Sequence, residues 1–383
     1  MDLKTILTGS GRDTRLLLFL GIANWFLFLD HIPDNAVNWI TARNYGFSGA
    51  ADWFIFISGY LAAITYANII LERGFIVGAT RIMKRVWQLF AAYIVLFVIY
   101  IVTIGYVAQQ YAAPDILDEF NVAGLIDHPI RILAHGLMLQ SSARNMDALQ
   151  LYIALMAFFP PVLWIMLRKP DVAMAGSIAL YFSARQFEWN LSSYPDGEWF
   201  FNPFCWQLLF VFGAWLALGG RTRISRSILG SPTLLYLGIA YLVFALVMTM
   251  AGRFPQLGNL FPRWLFDAFN PNDKENLAPY RVLHFVVVVF MVMRFLPKDW
   301  HGLEWQILQP AIKCGQQSLA VFCAGVFLSF AGHFTLTISS GSLAAQIFVS
   351  ATGIAIMTLV AYGIAWSRQQ DGPLRIASID AHS

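Results

Sequence analysis

An aspartate followed directly by a histidine, Asp30-His31, closes the stretch RLLLFLGIANWFLFLDHIPD that runs from Arg15 to Asp34. A histidine titrates near neutrality and can take a proton from a hydroxyl, and a neighbouring carboxylate can fix its tautomer. From Leu16 to Leu29 only Asn24 is polar, so the pair stands at the end of an apolar helix, near a bilayer surface. Ionisable residues are costly there and mark functional sites by default. His31 shares a helical face with Leu27, Asn24 and Leu20, whereas adjacent residues point about 100° apart, so Asp30 need not orient His31. An ordinary interfacial histidine before the helix-stopping Pro33 explains the same residues equally well.

Other groups could also do chemistry. Asp52 and Gly59 lie a double turn apart on one face of the next apolar run, which continues through Ser58-Gly59-Tyr60. Small residues in such runs serve close helix packing, and no G-x-S-x-G elbow surrounds Ser58. Arg81, Lys84 and Arg85 share a face suited to phosphates, although plain anchoring by basic residues accounts for them too. Asp147 opens another apolar run, with Tyr152 within two turns. Tyr280-Arg281-x-x-His284 sets an arginine and an imidazole one turn apart, a rarer arrangement in a span than a lone histidine. His128, His135 and His333 have no partner visible in the sequence. No H-E-x-x-H, P-loop or dinucleotide fingerprint occurs, so metal-dependent and nucleotide hydrolysis drop out and no metal is expected.

The elements that must position these residues follow from composition. Hydrophobic residues make up 58% of the 383 and charged residues only 12%, about half the charged share of a soluble domain. The fold class is therefore an all-α polytopic integral membrane protein. A net charge of +3 gives no reason to expect nucleic acid. Cys205, Cys314 and Cys323 lie in or beside apolar runs in no metal spacing and read as buried thiols. Long apolar runs give ten expected spans near 15–31, 50–71, 84–108, 148–167, 171–185, 203–219, 233–251, 278–296, 314–334 and 343–366, with a tight turn at Arg168-Lys169-Pro170. With a cytoplasmic N-terminus, the short inside connections hold most of the basic residues, among them Lys4, Arg12, Arg15, Arg73, Arg221 and Arg223, as the positive-inside rule requires. The outside segments hold most of the acids, including Asp115, Asp118, Glu119, Asp127, Asp196 and Glu198. Both termini are then cytoplasmic. The chain reads as one transmembrane domain over 1–383, with a helical core of about 15–366 and a short unstructured tail at 367–383. The long outside loops carry Trp189, Tyr194, Trp199, Phe200, Asn202 and Trp264, residues that stack on sugars but also build interfacial aromatic belts.

Several blocks resemble one family. LFLDHIPDNAVNWITARNYGFSGAADWFIFISGY, RIMKRVWQLFAAYI, MDALQLYI, FNPFCWQLLFVFGAW and CGQQSLAVFCAGVFLSF are similar, in order and spacing, to the OpgC family over about residues 11–335. These are inner-membrane transferases that succinylate osmoregulated periplasmic glucans, related to the acyltransferase type-3 group. The resemblance implies a ten-helix bacterial inner-membrane enzyme that takes an acyl group from cytoplasmic acyl-CoA to a sugar hydroxyl outside. It matches His31 to the family's motif histidine, and Arg81 and Arg85 to basic positions that meet CoA phosphates. On the first helix two positions depart from the pattern: Leu17 and Leu20 stand where an acid and an arginine are common. Gln317 replaces a common histidine.

The resulting expectation is succinyl transfer from succinyl-CoA, or a similar acyl-CoA, to a periplasmic glucan. His31 is the general base, with Asp30 or Asp52 orienting it. Asp147, Tyr152, Asn202, Gln207, Arg281 and His284 are expected at the acceptor, and Arg15, Arg81, Lys84 and Arg85 at the donor phosphates. Two alternatives stand beside it: a transporter or exporter of a glucan or small solute, and an O-acetyltransferase of another polysaccharide. Transporters often show two related halves, and none is visible here. The oligomeric state is left open.

Overall fold

The computed structural model describes residues 13–383, except 112–116, 118, 121, 123–127, 141–142, 195–196, 221–223, 225, 340 and 381–383; the side chains of 226–227 and 371–380 are also outside the description. Lys4, Arg12, Asp115, Asp118, Asp127, Asp196, Arg221 and Arg223 therefore lie outside the described residues. Each of the ten expected apolar runs forms helix, because a backbone shielded from water must satisfy its hydrogen bonds within the segment. In order they are α1 (Thr14–Asp30), α2 (Ala50–Arg73), α3 (Phe75–Gln110), α4 (Asp147–Arg168), α5 (Pro170–Gln186), α6 (Pro203–Trp215), α7 (Pro232–Arg253), α8 (Pro279–Phe295), the pair α9 (Gln309–Gln316) and α10 (Ser318–Ile338), and α11 (Leu343–Asp380). The backbone of 367–380 is thus helical, where the sequence predicts an unstructured tail.

Among the described residues seven helices, α6 being counted with the turn that continues it to Gly220, are long and apolar enough to cross a membrane, which makes the chain a multi-pass membrane protein. Apart from the short α9, which precedes α10, the remaining three, α1, α5 and α8, have 17 residues each. Each is about 25 Å long against a hydrocarbon core of about 30 Å.

Helix boundaries follow local chemistry. Gly74, at φ 88°, separates α2 from α3, a left-handed conformation that glycine adopts without steric cost. Lys169 ends α4 and precedes Pro170 at the start of α5, which makes the expected tight turn. Asn202 and Ser231 cap α6 and α7 by accepting from Phe204 N and Leu234 N, each beside a proline at the first helical position.

The chain divides into two compact units. One gathers Arg12–Asn44, Gly49–Phe54 and Leu296–Ser383. Within it α1 lies against α9 with the two backbones nearly touching: a Cβ on Gly21 would overlap the Ala311 carbonyl, and one on Gly315 would overlap that of Leu17. Phe28, Leu29, Ile32, Cys314, Val321 and Met357 form its core. The other unit gathers Tyr45–Ser48 and Ile55–Phe295. There α2 and α6 make the same kind of contact, with Gly59 against the Phe210 carbonyl and Gly213 against that of Phe56. The glycine of the FISGY run therefore serves packing. All three cysteines are free thiols, two of them buried.

A Gly59→Val protein should lose thermal stability by about 1–3 kcal/mol through overpacking, read as a lower melting temperature of the purified protein. Ser58→Ala should melt as the wild type does.

Candidate functional site

α1 stops at Asp30, three residues before Pro33, whose ring cannot continue a helix. The His31 amide closes the last turn onto the carbonyls of Leu27 and Phe28 at 3.1 and 3.3 Å, and its side chain is half-buried. Asp30 is held from downstream. Thr41 Oγ1 donates to Asp30 Oδ1 at 2.7 Å, Arg43 Nε lies 3.6 Å from the same oxygen, and Arg43 Nη1 donates to the Asp30 carbonyl at 3.2 Å. Thr41 is fully buried and accepts in turn from Asn44 Nδ2 at 3.2 Å. The exposed guanidinium contributes little on its own, so the buried hydroxyl is the fixed part of the arrangement. Asn24, on the His31 face, is buried and donates to the Leu20 carbonyl at 2.8 Å and to Ser318 Oγ at 3.1 Å.

Asp52 is fully buried in the first turn of α2, where its Oδ2 accepts from the Gly49 amide at 2.8 Å. That is the reach-back half of a capping box, so this carboxylate helps to start the helix.

Arg15 is buried. Its Nε and Nη2 meet Asp13 Oδ1 and Oδ2 at 2.9 and 2.7 Å, and Nη1 donates to the Leu296 carbonyl. All three guanidinium nitrogens are engaged by the protein. Leu17 and Leu20 are buried on the same helix.

The structure divides the basic cluster of α3. Arg81 and Lys84 are exposed, whereas Arg85 is half-buried. Arg85 is hydrogen-bonded to Tyr152 of α4, and Tyr66 of α2 interacts electrostatically with both. The sequence reading missed Tyr66, although a signal was present: Asp52, Gly59 and Tyr66 recur every seven residues along one stripe of α2. Asp147 is the half-buried first residue of α4.

Four of the residues expected at the acceptor have tasks inside the protein. Asn202 Nδ2 donates to the Trp189 carbonyl at 2.7 Å and to Asn276 Oδ1 at 2.8 Å, and its Oδ1 accepts from Phe204 N at 3.0 Å. Gln207 ties α6 to α5: Nε2 donates to the Ser177 carbonyl at 2.8 Å, and Oε1 accepts from Ser177 Oγ at 2.6 Å. Arg281 and His284, both buried on α8, hold the segment Tyr45–Ser48. Arg281 Nη1 donates to the Phe47 carbonyl, which also accepts from Asn272 Nδ2 at 2.9 Å. His284 Nδ1 lies 2.7 Å from Ser48 Oγ and accepts from Ser48 N at 3.3 Å. The Phe47 ring completes the anchor, stacked on Phe269 at 5.4 Å and edge-on to Tyr280 at 4.9 Å.

Of the loop aromatics, Trp189, Phe200 and Trp264 are exposed and Trp199 is buried. His135, which the sequence leaves without a partner, stacks on Tyr194 at 3.9 Å, and its Nδ1 lies 2.9 Å from Gln140 Oε1.

The helices and the polar residues gathered at their ends and in their interiors define a polytopic membrane protein with a candidate site on its first helix. The family model described as OpgC protein matches residues 12–369, most of the chain, and the chain belongs to that family. No curated protein and no solved structure matches it.

Arg281→Ala should free the Tyr45–Ser48 segment at a cost of about 1–3 kcal/mol in stability. Limited proteolysis should then cut near Tyr45 faster than in the wild type, and His284→Ala should act in the same direction.

Proposed function

We propose that this protein is an O-acyltransferase of the bacterial inner membrane, moving a succinyl group from cytoplasmic succinyl-CoA to hydroxyls of a periplasmic glucan. The observation that carries this reading is the family match over residues 12–369. In the proposed arrangement all ten apolar helices cross the membrane with both termini cytoplasmic, and α1, α5 and α8 cross where the bilayer thins to meet them.

In the proposed reaction His31 accepts the proton of a glucose hydroxyl as its oxygen attacks the thioester carbonyl. The carbon–sulfur bond breaks, and the protonated imidazole returns the proton to the departing CoA sulfur. The position of His31 supports this role: it sits at the end of an apolar helix, beside a carboxylate held by Thr41. An anchored Asp30 keeps a fixed negative charge next to the imidazole while that ring is transiently cationic. Arg81, Lys84 and Arg85 are the proposed contacts of the donor phosphates. Arg15 is not among them, because its guanidinium is already engaged by Asp13 and Leu296.

General-base help is worth about 10²–10⁴-fold, so His31→Ala should lower glucan acylation by at least about a hundredfold with protein still in the membrane. Mass spectrometry of periplasmic glucans tests this directly. Wild-type strains should show the added mass of succinyl esters, and a normal succinyl content in the His31→Ala strain would remove His31 from the mechanism. Thr41→Val, which deletes the hydroxyl donor to Asp30 in a side chain of similar shape, should reduce acylation about tenfold.

A further inference from the structure

Arg43 is the only lysine or arginine between Arg15 and Arg73. The fold sets it beside the candidate base. It lies in the short turn Ala42–Asn44, where Asn44 Nδ2 donates back to the Asn38 carbonyl at 2.6 Å and to Thr41 Oγ1 at 3.2 Å. Gly49 passes so close that a Cβ there would stand 3.2 Å from the Arg43 Cβ. With its base bracketed in this way, the side chain reaches Asp30. Nη1 donates at 3.2 Å to the Asp30 carbonyl, the oxygen of the peptide bond that carries His31, and Nε stays 3.6 Å from Oδ1. All of these residues belong to one compact unit.

The pairing is loose. Arg15 grips Asp13 with Nε and Nη2 at 2.9 and 2.7 Å, both partners being buried. Arg43 makes no such fork: Asp30 Oδ1 takes its hydrogen bond from Thr41 instead, at 2.7 Å, and the Arg43 side chain stays 43% exposed. An exposed ion pair contributes little, so Arg43 is poorly explained as a support for Asp30. A guanidinium carries five N–H donors. Here one goes to a main-chain oxygen, and Nη2 has no hydrogen bond among the described residues. What remains is a charged, planar set of donors, open to solvent next to the peptide bond of the imidazole. Arginine binds carboxylates with such a set.

A succinyl donor supplies the carboxylate. Three carbon–carbon bonds of about 1.5 Å set it about 4 Å from the carbon that the glucan hydroxyl attacks. With that carbon at His31, the acyl tail has the length to meet a guanidinium bonded to the adjoining peptide oxygen. We infer that Arg43 binds the free carboxylate of the succinyl group and so selects a dicarboxylic acyl donor over a monocarboxylic one. A donor without that carboxylate leaves the guanidinium unmatched, which is how a polar site rejects an analogue. The inference rests on the acyl-transfer reading above and makes Arg43 a specificity residue of the same site.

The test follows transfer to unsubstituted periplasmic glucan by the full-length protein in phosphatidylcholine nanodiscs. The donors are succinyl-CoA and butyryl-CoA, whose chain of the same length ends in a methyl group. The readout is the ratio of kcat/KM for the two. Wild type should favour succinyl-CoA, and Arg43→Gln should lower the ratio at least about tenfold, the scale of a hydrogen bond to a charged group, chiefly through the KM for succinyl-CoA. Arg43→Lys keeps the charge without the fork and should fall between. An effect of Arg43 through Asp30, on a developing oxyanion or on folding slows both donors alike and cancels in the ratio. An unchanged ratio in Arg43→Gln would therefore overturn the inference. So would a wild type that uses the two donors equally, a measurement that needs no variant. Wild-type protein that transfers neither group defeats the acyl-transfer reading itself, whereas transfer with a ratio insensitive to Arg43 defeats only the carboxylate assignment.

Discussion

A polar group placed among apolar helices must find its partner inside the protein, because the bilayer offers none. That constraint accounts for several polar side chains among the described residues. Arg15 spends its guanidinium on Asp13 and a main-chain carbonyl, Asn202 caps α6 while bridging to Asn276, and Gln207 exchanges hydrogen bonds with Ser177. Each is fully described by what it ties together. Arg85, half-buried, meets the same requirement through the Tyr152 hydroxyl.

Close backbone approach supplies the frame for these contacts. Reciprocal glycines bring α1 onto α9 in one unit and α2 onto α6 in the other, so that dispersion contacts between backbones replace the hydrophobic drive that lipid cannot provide. On α1 this has a further effect. Leu17 presents its carbonyl to Gly315 and its side chain is buried, so the helix that carries His31 is an apolar packing element through most of its length. The departure from the family pattern at Leu17 and Leu20 suits that environment.

Membership of the OpgC family and the geometry at the end of α1 fit together in one respect. The His31 side chain is half-buried at the last turn of its helix, and the neighbouring carboxylate is fixed by a buried threonine that lies eleven positions further on. A histidine at a helix end, beside a carboxylate fixed by a hydroxyl, suits the general-base role proposed for it. Asp52, expected from the sequence to help orient the histidine, is seen to start α2 by accepting from the Gly49 amide.

The helices themselves were legible in the sequence, and so was the family. Apolar runs and helix stops such as Pro33 and Pro170 are local properties, and the backbone has little choice once water is withdrawn. The packing role of the FISGY glycine was legible too, because small residues in a span have few other uses. What a candidate residue does was not legible, because its partner is usually remote in the chain. Arg281 and His284 looked like a pair facing a ligand, and the fold turns them onto Phe47 and Ser48, more than two hundred positions away. Tyr152 looked like a neighbour of Asp147, and packing against α3 gave it to Arg85. Sequence alone determined which segments had to be helices in a membrane, since that depends on each segment's own polarity. Only tertiary structure decided which polar side chains were consumed in holding those helices together, because that depends on what the packing brings within hydrogen-bond reach.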